Sequence, residues 1–208
     1  MNAPLKSPLG VIILGAGAST RMGRPKLLLP WKKTTVIGHL LSQWQELRAA
    51  QIAVVLRAND LALAAELDRW PFPPAGRIEN SQPERGMFSS IVCAANWDGW
   101  RREISSWAVV LGDQPHLPPA LLRKLLDFGA QYPAAICQPV FDGRAGHPVI
   151  LPRTALVALK SSAEATLKDF LKLTPLPRVQ CPVADSGVSL DMDTPEDYKR
   201  LIDSHKAA

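Results

Sequence analysis

Residues 9–26 read LGVIILGAGASTRMGRPK. The first part, Leu9–Leu14, is a continuous apolar run that ends at a glycine, which predicts a strand buried on both faces. The loop that follows contains three glycines, Ser19 and the cations Arg21 and Lys26. Glycine allows backbone N–H groups to approach a phosphate closely, and both types of cation bind phosphate oxygens. The stretch therefore predicts a phosphate-binding loop directly after the first strand.

Two common nucleotide motifs do not describe this loop. A dinucleotide fingerprint needs a third glycine where Thr20 stands, and an acidic residue about 20 residues further on, which is missing. A Walker A loop needs Gly-Lys-Ser/Thr, whereas Gly23 is followed by Arg24-Pro25-Lys26. A tight turn with incidental surface charges is the alternative, and the combination of glycines, serine and cations disfavours it. The loop is therefore predicted to bind a nucleotide in another way.

Strand patterns alternate with helical patterns along the rest of the chain. Such alternation indicates an α/β domain with a mainly parallel sheet, in which ligands bind beyond the carboxyl ends of the strands. The predicted strands are Leu9–Leu14, Ile52–Leu56, a short one around Ile78, Trp107–Leu111, Ala135–Val140, Pro148–Leu151 and Val179–Val183. The predicted helices follow Thr34-Thr35, Asp60, Met87, Pro118 and Thr194, and the last one runs to about His205. The loops Gly15–Lys26 and Gly112–Leu117 are expected at the functional edge.

Composition and charge narrow the class of protein. The 208 residues are 47% hydrophobic and carry a net charge of +5, which excludes a disordered chain and suits one domain or two small ones. Residues 1–57 hold eight Lys or Arg side chains and one acidic one, whereas the remainder is slightly acidic. This excess favours either a nucleic-acid surface or a site for a small polyanion. No basic helix face with interleaved aromatic residues supports the first alternative.

Cysteine usage and hydropathy bear on the setting. Cys93, Cys137 and Cys181 are far apart and lack CxxC or CxxH spacing, which argues against disulfides and a structural zinc site. The apolar run Leu9–Leu14 is shorter than the roughly 20 residues that a membrane-spanning helix needs, and it lacks a cleavage pattern. We therefore expect a cytoplasmic protein that binds neither membrane nor nucleic acid.

Five ordered segments resemble a known family. They are Leu14–Leu27, Arg85–Ile91, Leu111–Pro115, Gly146–Pro148 and Leu190–Asp197. Together they resemble the MobA-like nucleotidyltransferases, with the molybdenum cofactor cytidylyltransferase branch as the nearer match. The resemblance implies a Rossmann-like three-layer α/β/α fold with a mainly parallel sheet, over residues 1–208 as a single nucleotidyltransferase domain. Its N-terminal part would bind the nucleotide and its C-terminal part the acceptor.

The resemblance also implies roles for individual residues. Arg21, Lys26 and Asp113 would be catalytic, and His147 would bind the acceptor. Asp113 and Asp191 would hold Mg²⁺, with Asp193 as the alternative to Asp191 and helix capping as the alternative role of both. The nucleotide-binding set would be Leu14, Gly15, Ala16, Gly17, Ser19, Arg21, Gly23, Lys26, Gly86, Ser90 and Asp113.

Substrates and partners follow from the branch that is resembled. Ala16 and the segment Gly86–Ser90 favour CTP, whereas Gly15 departs from the alanine that is commoner in the family and leaves GTP open. The acceptor would be the terminal phosphate of molybdopterin, a phosphorylated pterin, with another phosphorylated metabolite as the alternative. A molybdoenzyme or a cofactor-delivery protein would be the protein partner of an otherwise monomeric enzyme. A non-enzymatic nucleotide-binding regulator or carrier is the alternative from another functional class.

Overall fold

The computed structural model describes residues 7–206. Within this range the chain forms ten β-strands and seven α-helices. The strands are β1 (Leu9–Leu14), β2 (Pro30–Trp31), β3 (Thr34–Thr35), β4 (Gln51–Arg57), β5 (Arg77–Asn80), β6 (Ser106–Leu111), β7 (Ile136–Phe141), β8 (Arg144–Ala145), β9 (Val149–Pro152) and β10 (Arg178–Pro182). The helices are α1 (Val36–Glu46), α2 (Leu61–Arg69), α3 (Met87–Asn96), α4 (Pro119–Gly129), α5 (Arg153–Lys160), α6 (Leu167–Leu173) and α7 (Pro195–Lys206).

Eight of the strands form one mixed sheet in the order β10-β7-β9-β6-β1-β4-β5, with β8 paired to β7. Strands β5, β4, β1 and β6 are mutually parallel, and β10 is parallel to β7. Strand β9 is antiparallel to both β6 and β7. The carboxyl ends of β1, β4, β6 and β7 therefore meet at one edge of the sheet, and β9 begins at that same edge.

Alternating side chains of β1 enter two cores, one on each face of the sheet. Val11 and Ile13 pack with the apolar faces of α1 and α4, whereas Ile12 packs with α3, α5 and α6. All three side chains are fully buried. A strand buried on both faces is expected for a parallel sheet covered by helices, and it produces the three layers α/β/α.

Local sequence accounts for the helix starts. Thr35 Oγ1 accepts a hydrogen bond from Gly38 N at 3.2 Å and caps α1, and Asp60 Oδ1 accepts one from Leu63 N at 3.0 Å and caps α2. Helix α7 begins after Thr194, whose hydroxyl accepts from Asp197 N at 3.2 Å while Asp197 Oδ2 accepts from Thr194 N at 3.0 Å. The predicted cap at Asp60 is confirmed, and Thr194, rather than Asp191 or Asp193, occupies the capping position of α7.

The remaining predictions differ from the structure in detail. The predicted strand bounds agree with the structure within one residue, which is within the usual variation at element ends. Helices α5 and α6 were not predicted.

Cys137 and Cys181 are buried, and the three cysteines are free thiols. Among residues 7–206, no helix has the length and apolar character needed to cross a membrane.

Candidate active site

The loop after β1 is a tight turn centred on Ser19. Ser19 has a φ of +51°, and its backbone oxygen accepts hydrogen bonds from Met22 N and Gly23 N, each at 3.1 Å. The Ser19 hydroxyl oxygen accepts from Lys26 N at 3.2 Å, which closes the loop on itself. The loop therefore already uses one lone pair of the hydroxyl that was expected to face phosphate, although its hydrogen can still be donated to a ligand.

A cavity of about 320 Å³ lies between this loop and the N-terminus of α3. Nine of the eleven residues predicted to bind a nucleotide line it: Leu14, Gly15, Ala16, Gly17, Ser19, Lys26, Gly86, Ser90 and Asp113. The other two, Arg21 and Gly23, lie on the turn outside the cavity wall. The size and the edge position are those expected of a small-molecule site in an α/β sheet.

The far wall of this cavity depends on Asn80, which was not singled out from the sequence. Asn80 is buried at the end of β5, and its Nδ2 donates to Ser89 Oγ at 2.8 Å and to Ser90 Oγ at 3.0 Å. Its Oδ1 accepts from Gln82 N at 2.9 Å. Asn80 thus holds Ser90 and the segment before α3 in place. The signal in the sequence that pointed to Asn80 was a polar residue at the end of a short predicted strand.

The predicted phosphate-binding cations contact carboxylates in this structure. Lys26 Nζ lies 3.2 Å from Asp113 Oδ2 and 2.5 Å from Asp193 Oδ1. Arg21 Nη2 lies 2.6 Å from Asp193 Oδ2, although its side chain is 70% exposed. Asp193 therefore contacts both cations. It lies 167 residues after Lys26 in the sequence. A triphosphate that binds Arg21 and Lys26 must compete with this carboxylate.

Asp191 faces a second cavity of about 250 Å³, which adjoins the first one at Leu111. The lining residues are Leu111, Gln114, Arg144, Ala145, Gly146, His147, Val188, Ser189 and Asp191. The structure thus brings the predicted acceptor residue His147 together with Asp191. Arg144, from the hairpin that joins β7 and β8, adds a cation that the sequence had not indicated.

Charge and burial interact strongly at Asp113. Burial raises the pKa of its carboxyl group, Lys26 lowers it, and the charges of Asp191 and Asp193 raise it again. The carboxylates of Asp113 and Asp191 thus repel each other, with one lying on each cavity. A cation between them would remove this repulsion.

The carboxylates of Asp113 and Asp191 are chemically suited to bind a magnesium ion. Mg²⁺ commonly binds one or two carboxylates together with water and substrate phosphates, and Asp113 and Asp191 would supply such a pair. No group of three or more His, Cys, Asp or Glu side chains within residues 7–206 is arranged as a complete metal cage. The ammonium group of Lys26 occupies the space between Asp113 and Asp193 instead. Asp193 is already paired with two cations, so Asp191 remains the predicted second ligand.

His147 precedes Pro148 through a cis peptide bond and lies beside the second cavity. Its Nδ1 lies 3.3 Å from the backbone oxygen of Val109. A carbonyl oxygen can only accept, so Nδ1 carries the hydrogen and Nε2 is an acceptor in the neutral ring. Burial lowers the pKa of His147, while the Val109 bond and the charge of Asp191 raise it. The ring is therefore expected to be neutral at pH 7.

Residues 11–179 match the model of a protein family described as MobA-like NTP transferase domain. The chain belongs to this family. Membership confirms the resemblance inferred from the five segments and, together with the structure, the Rossmann-like α/β fold. The protein is therefore a MobA-like nucleotidyltransferase by family, and this membership indicates an enzyme that uses nucleotides.

Proteins that are similar in sequence to this chain are named for different reactions. The nicotine blue oxidoreductase of Paenarthrobacter nicotinovorans is 27% identical over 203 residues, covering 92% of this chain and 95% of the relative. The molybdenum cofactor cytidylyltransferase of Escherichia coli (strain K12) is 25% identical over 195 residues, covering 92% and 94%. The crystal structure of Rv0371c from Mycobacterium tuberculosis H37Rv, a complex with manganese, has a TM-score of 0.66 at 29% identity and covers 96% of this chain and 100% of that one.

Proposed function

We propose that the protein transfers CMP from CTP to the terminal phosphate of molybdopterin, with Mg²⁺ as cofactor and pyrophosphate as the leaving product. One observation carries the proposal: two adjoining cavities share Leu111, and each of them is lined by one carboxylate. Asp113 lines the cavity beside the glycine loop, and Asp191 lines the cavity beside His147. This is the arrangement that a transfer between two bound anions requires, with the nucleotide on one side and the acceptor on the other.

The proposed reaction exchanges one phosphoanhydride linkage for another. An oxygen of the acceptor phosphate forms a bond to the α-phosphorus of CTP, and the bond from that phosphorus to the pyrophosphate oxygen breaks. Both reactants are anions, so the protein contributes mainly positioning and charge neutralisation. A divalent cation on Asp113 and Asp191 would supply the largest local positive charge.

Residues of the first cavity would orient the nucleotide. Lys26 is only 14% exposed and would offset charge on the phosphates once a nucleotide displaces Asp193 from it. Arg21 would leave Asp193 in the same step and fork onto phosphate oxygens. The backbone around Gly15–Gly17 and the Ser90 hydroxyl would contact the rest of the nucleotide.

The choice of CTP and of a pterin acceptor rests on similarity. Ala16, which the resemblance associates with CTP, is buried at the cavity wall, and the E. coli relative is named a molybdenum cofactor cytidylyltransferase. On the acceptor side, neutral His147 would accept a hydrogen bond through Nε2, and Arg144 would attract an anionic group. The C-terminal part of the chain would thus bind the acceptor and the N-terminal part the nucleotide.

A pyrophosphate-release assay tests the proposal. Purified protein with Mg²⁺ is incubated with each of the four NTPs, with and without molybdenum-loaded molybdopterin. We expect release with CTP only when the acceptor is present. Release with GTP instead would assign the protein to guanylyl transfer, and release only with another phosphorylated acceptor would replace molybdopterin. Nucleotide binding without release on any acceptor would favour a regulator or carrier.

The similarity to nicotine blue oxidoreductase supplies a second reaction to measure. Reduction of nicotine blue by an added hydride donor such as NADH can be followed by absorbance with the same protein preparation. We expect no conversion, because the paired carboxylates and the Lys26 ammonium suit phosphate chemistry. Conversion of the dye, combined with no pyrophosphate release from any NTP, would contradict the proposed transfer.

A further inference from the structure

The buried amide of Gln114 lies next to the site, and the proposed transfer assigns it no role so far. It follows Asp113 in the turn after β6, and it is 4% exposed. Its Nε2 donates to the backbone oxygen of Leu190 and to Oδ1 of Asp191, each at 3.1 Å. The amide thus joins the β6 turn to a segment 76 to 77 residues later in the chain.

The orientation of this amide is determined by its partners. The Leu190 carbonyl and the Asp191 carboxylate can only accept hydrogen bonds, so the amide nitrogen must face both of them. Rotating the amide by 180° would place its oxygen against two other oxygens. Both N–H groups of Gln114 are therefore committed to the segment that carries Asp191.

The same side chain leaves its own acceptor unsatisfied. Gln114 Oε1 is buried and lacks a hydrogen-bond partner among the described residues. A buried unsatisfied acceptor costs about 1–3 kcal/mol of stability, and an apolar side chain of similar size would avoid that cost. The amide thus tolerates this cost while it donates to two acceptors, one of which is the Asp191 carboxylate.

We propose that Gln114 is a positioning residue that fixes the Asp191 carboxylate for binding of a divalent cation. One Asp191 oxygen is held by the amide, which restricts rotation of the carboxylate and leaves its second oxygen to the cation. Partners that orient a metal ligand in this way affect metal affinity about 10- to 100-fold when removed. The inference rests on the proposed function, since it takes Asp191 as a metal ligand.

Binding of Mn²⁺ tests this role separately from catalysis. Free Mn²⁺ is titrated by electron paramagnetic resonance against wild-type protein and Gln114→Met, each in the presence of CTP. We expect the Kd for Mn²⁺ to rise about tenfold in Gln114→Met. In the Asp191→Ala background the same substitution should change the Kd by less than about twofold, because the two residues act as one unit.

Gln43→Met is the matched control. Gln43 is 3% exposed and its Nε2 donates to Leu117 O at 2.7 Å, so it is also a buried amide tied to the loop after β6. It contacts neither Asp113 nor Asp191 through the bond described, and its loss should leave the Kd for Mn²⁺ unchanged. Should Gln114→Met fail to fold, Gln114→Asn replaces it, since an amide one methylene shorter cannot reach Asp191.

The outcomes separate this inference from the proposed function. Wild-type protein that binds Mn²⁺ with CTP but releases no pyrophosphate would contradict the transfer reaction, and the Mn²⁺ titrations would still decide the role of Gln114. An unchanged Kd in Gln114→Met, the same factor in both backgrounds, or no Mn²⁺ binding by the wild type would each overturn the inference.

Discussion

Burial and neighbouring charges act in opposite directions on the carboxyl group of Asp113. It is 24% exposed, close to Lys26, and surrounded by the negative charges of Asp191 and Asp193. Burial raises its pKa above the ordinary value, so the ionised form is less stable in the folded chain than in the unfolded chain. A carboxylate suited to a cation is therefore a source of instability in the free protein.

Asp113→Asn should lose activity and gain stability. Pyrophosphate release should fall at least about 100-fold, because the proposed ligand itself is lost. A raised pKa in the folded state means that stability falls as pH rises from the unfolded pKa through the folded pKa. The variant should therefore have a higher Tm than wild type at pH 7.5, and the difference should shrink at pH 4, about the ordinary pKa of an aspartate.

Differential scanning fluorimetry at both pH values measures the effect, with exposed Asp127→Asn as the control. A lower Tm of Asp113→Asn at pH 7.5 would mean that its ion pair with Lys26 outweighs burial and repulsion.

Gly15 is required by close packing. A Cβ added there would lie 2.9 Å from both Leu27 Cδ1 and the backbone oxygen of Val55, whereas one at Gly17 would meet no atom of the described residues within 4 Å. Gly15→Ala should lower the free energy of unfolding by about 1–3 kcal/mol through overpacking. Gly17→Ala should change it by less than about 0.5 kcal/mol.

Urea titrations of the two glycine variants provide the comparison. Equal effects at both positions would show that the loop moves away from Val55 without cost. That result would also leave the departure of this chain from the commoner alanine without a packing reason.

At the scale of elements, the site is held together by two segments far apart in the chain. The loop after β1 supplies Arg21 and Lys26, and the segment before α7 supplies Asp193, which pairs with both. Helix α7 adds Tyr198, whose hydroxyl donates to Pro30 O at 2.6 Å and whose ring lies 5.9 Å from the Arg24 guanidinium. The basic N-terminal quarter is thus partly neutralised by the C-terminal segment when no nucleotide is bound.

Asp193→Asn should strengthen nucleotide binding. Removing the charge frees Arg21 and Lys26 for phosphates, and pairs of this exposure are worth up to about 1 kcal/mol. We expect the Kd for CTP without added metal to fall about threefold, measured by isothermal titration calorimetry. Asp197→Asn, in the first turn of α7 and paired with Arg200, should leave it unchanged. Weaker CTP binding by Asp193→Asn would mean that Asp193 itself helps to hold the nucleotide.

Tyr198→Phe tests the contact between α7 and the first loop. Loss of the hydrogen bond to Pro30 should cost about 1 kcal/mol of local stability. Hydrogen exchange of the backbone amides at residues 27–29 and 31 should become faster, and Tyr132→Phe, which lies beside the start of β1, should have no such effect. Unchanged exchange would mean that the ion pairs at Asp193 suffice to dock the segment.

At the scale of the whole molecule, local patterns predicted the sheet better than they predicted the site. The apolar runs at β1, β4 and β6 and the caps at Thr35 and Asp60 depend on neighbouring residues, so the sequence reveals them. The antiparallel direction of β9 and the pairing of Lys26 with Asp193 depend on contacts between distant residues. Asn80 and Gln114 were not assigned roles for the same reason, because a polar residue after a strand has many possible partners.

The direction of β9 has a consequence for how the proposed acceptor site can change. A two-residue Asp-Gly turn, with φ of +47° at Asp142 and +71° at Gly143, reverses the chain between Phe141 and Arg144. The hairpin returns through His147 to the start of β9, so one short segment delivers side chains to the second cavity. Its replacement would alter that cavity while leaving the glycine loop untouched. Divergent family members could therefore acquire new acceptors by exchanging a hairpin, and a designer could follow the same route.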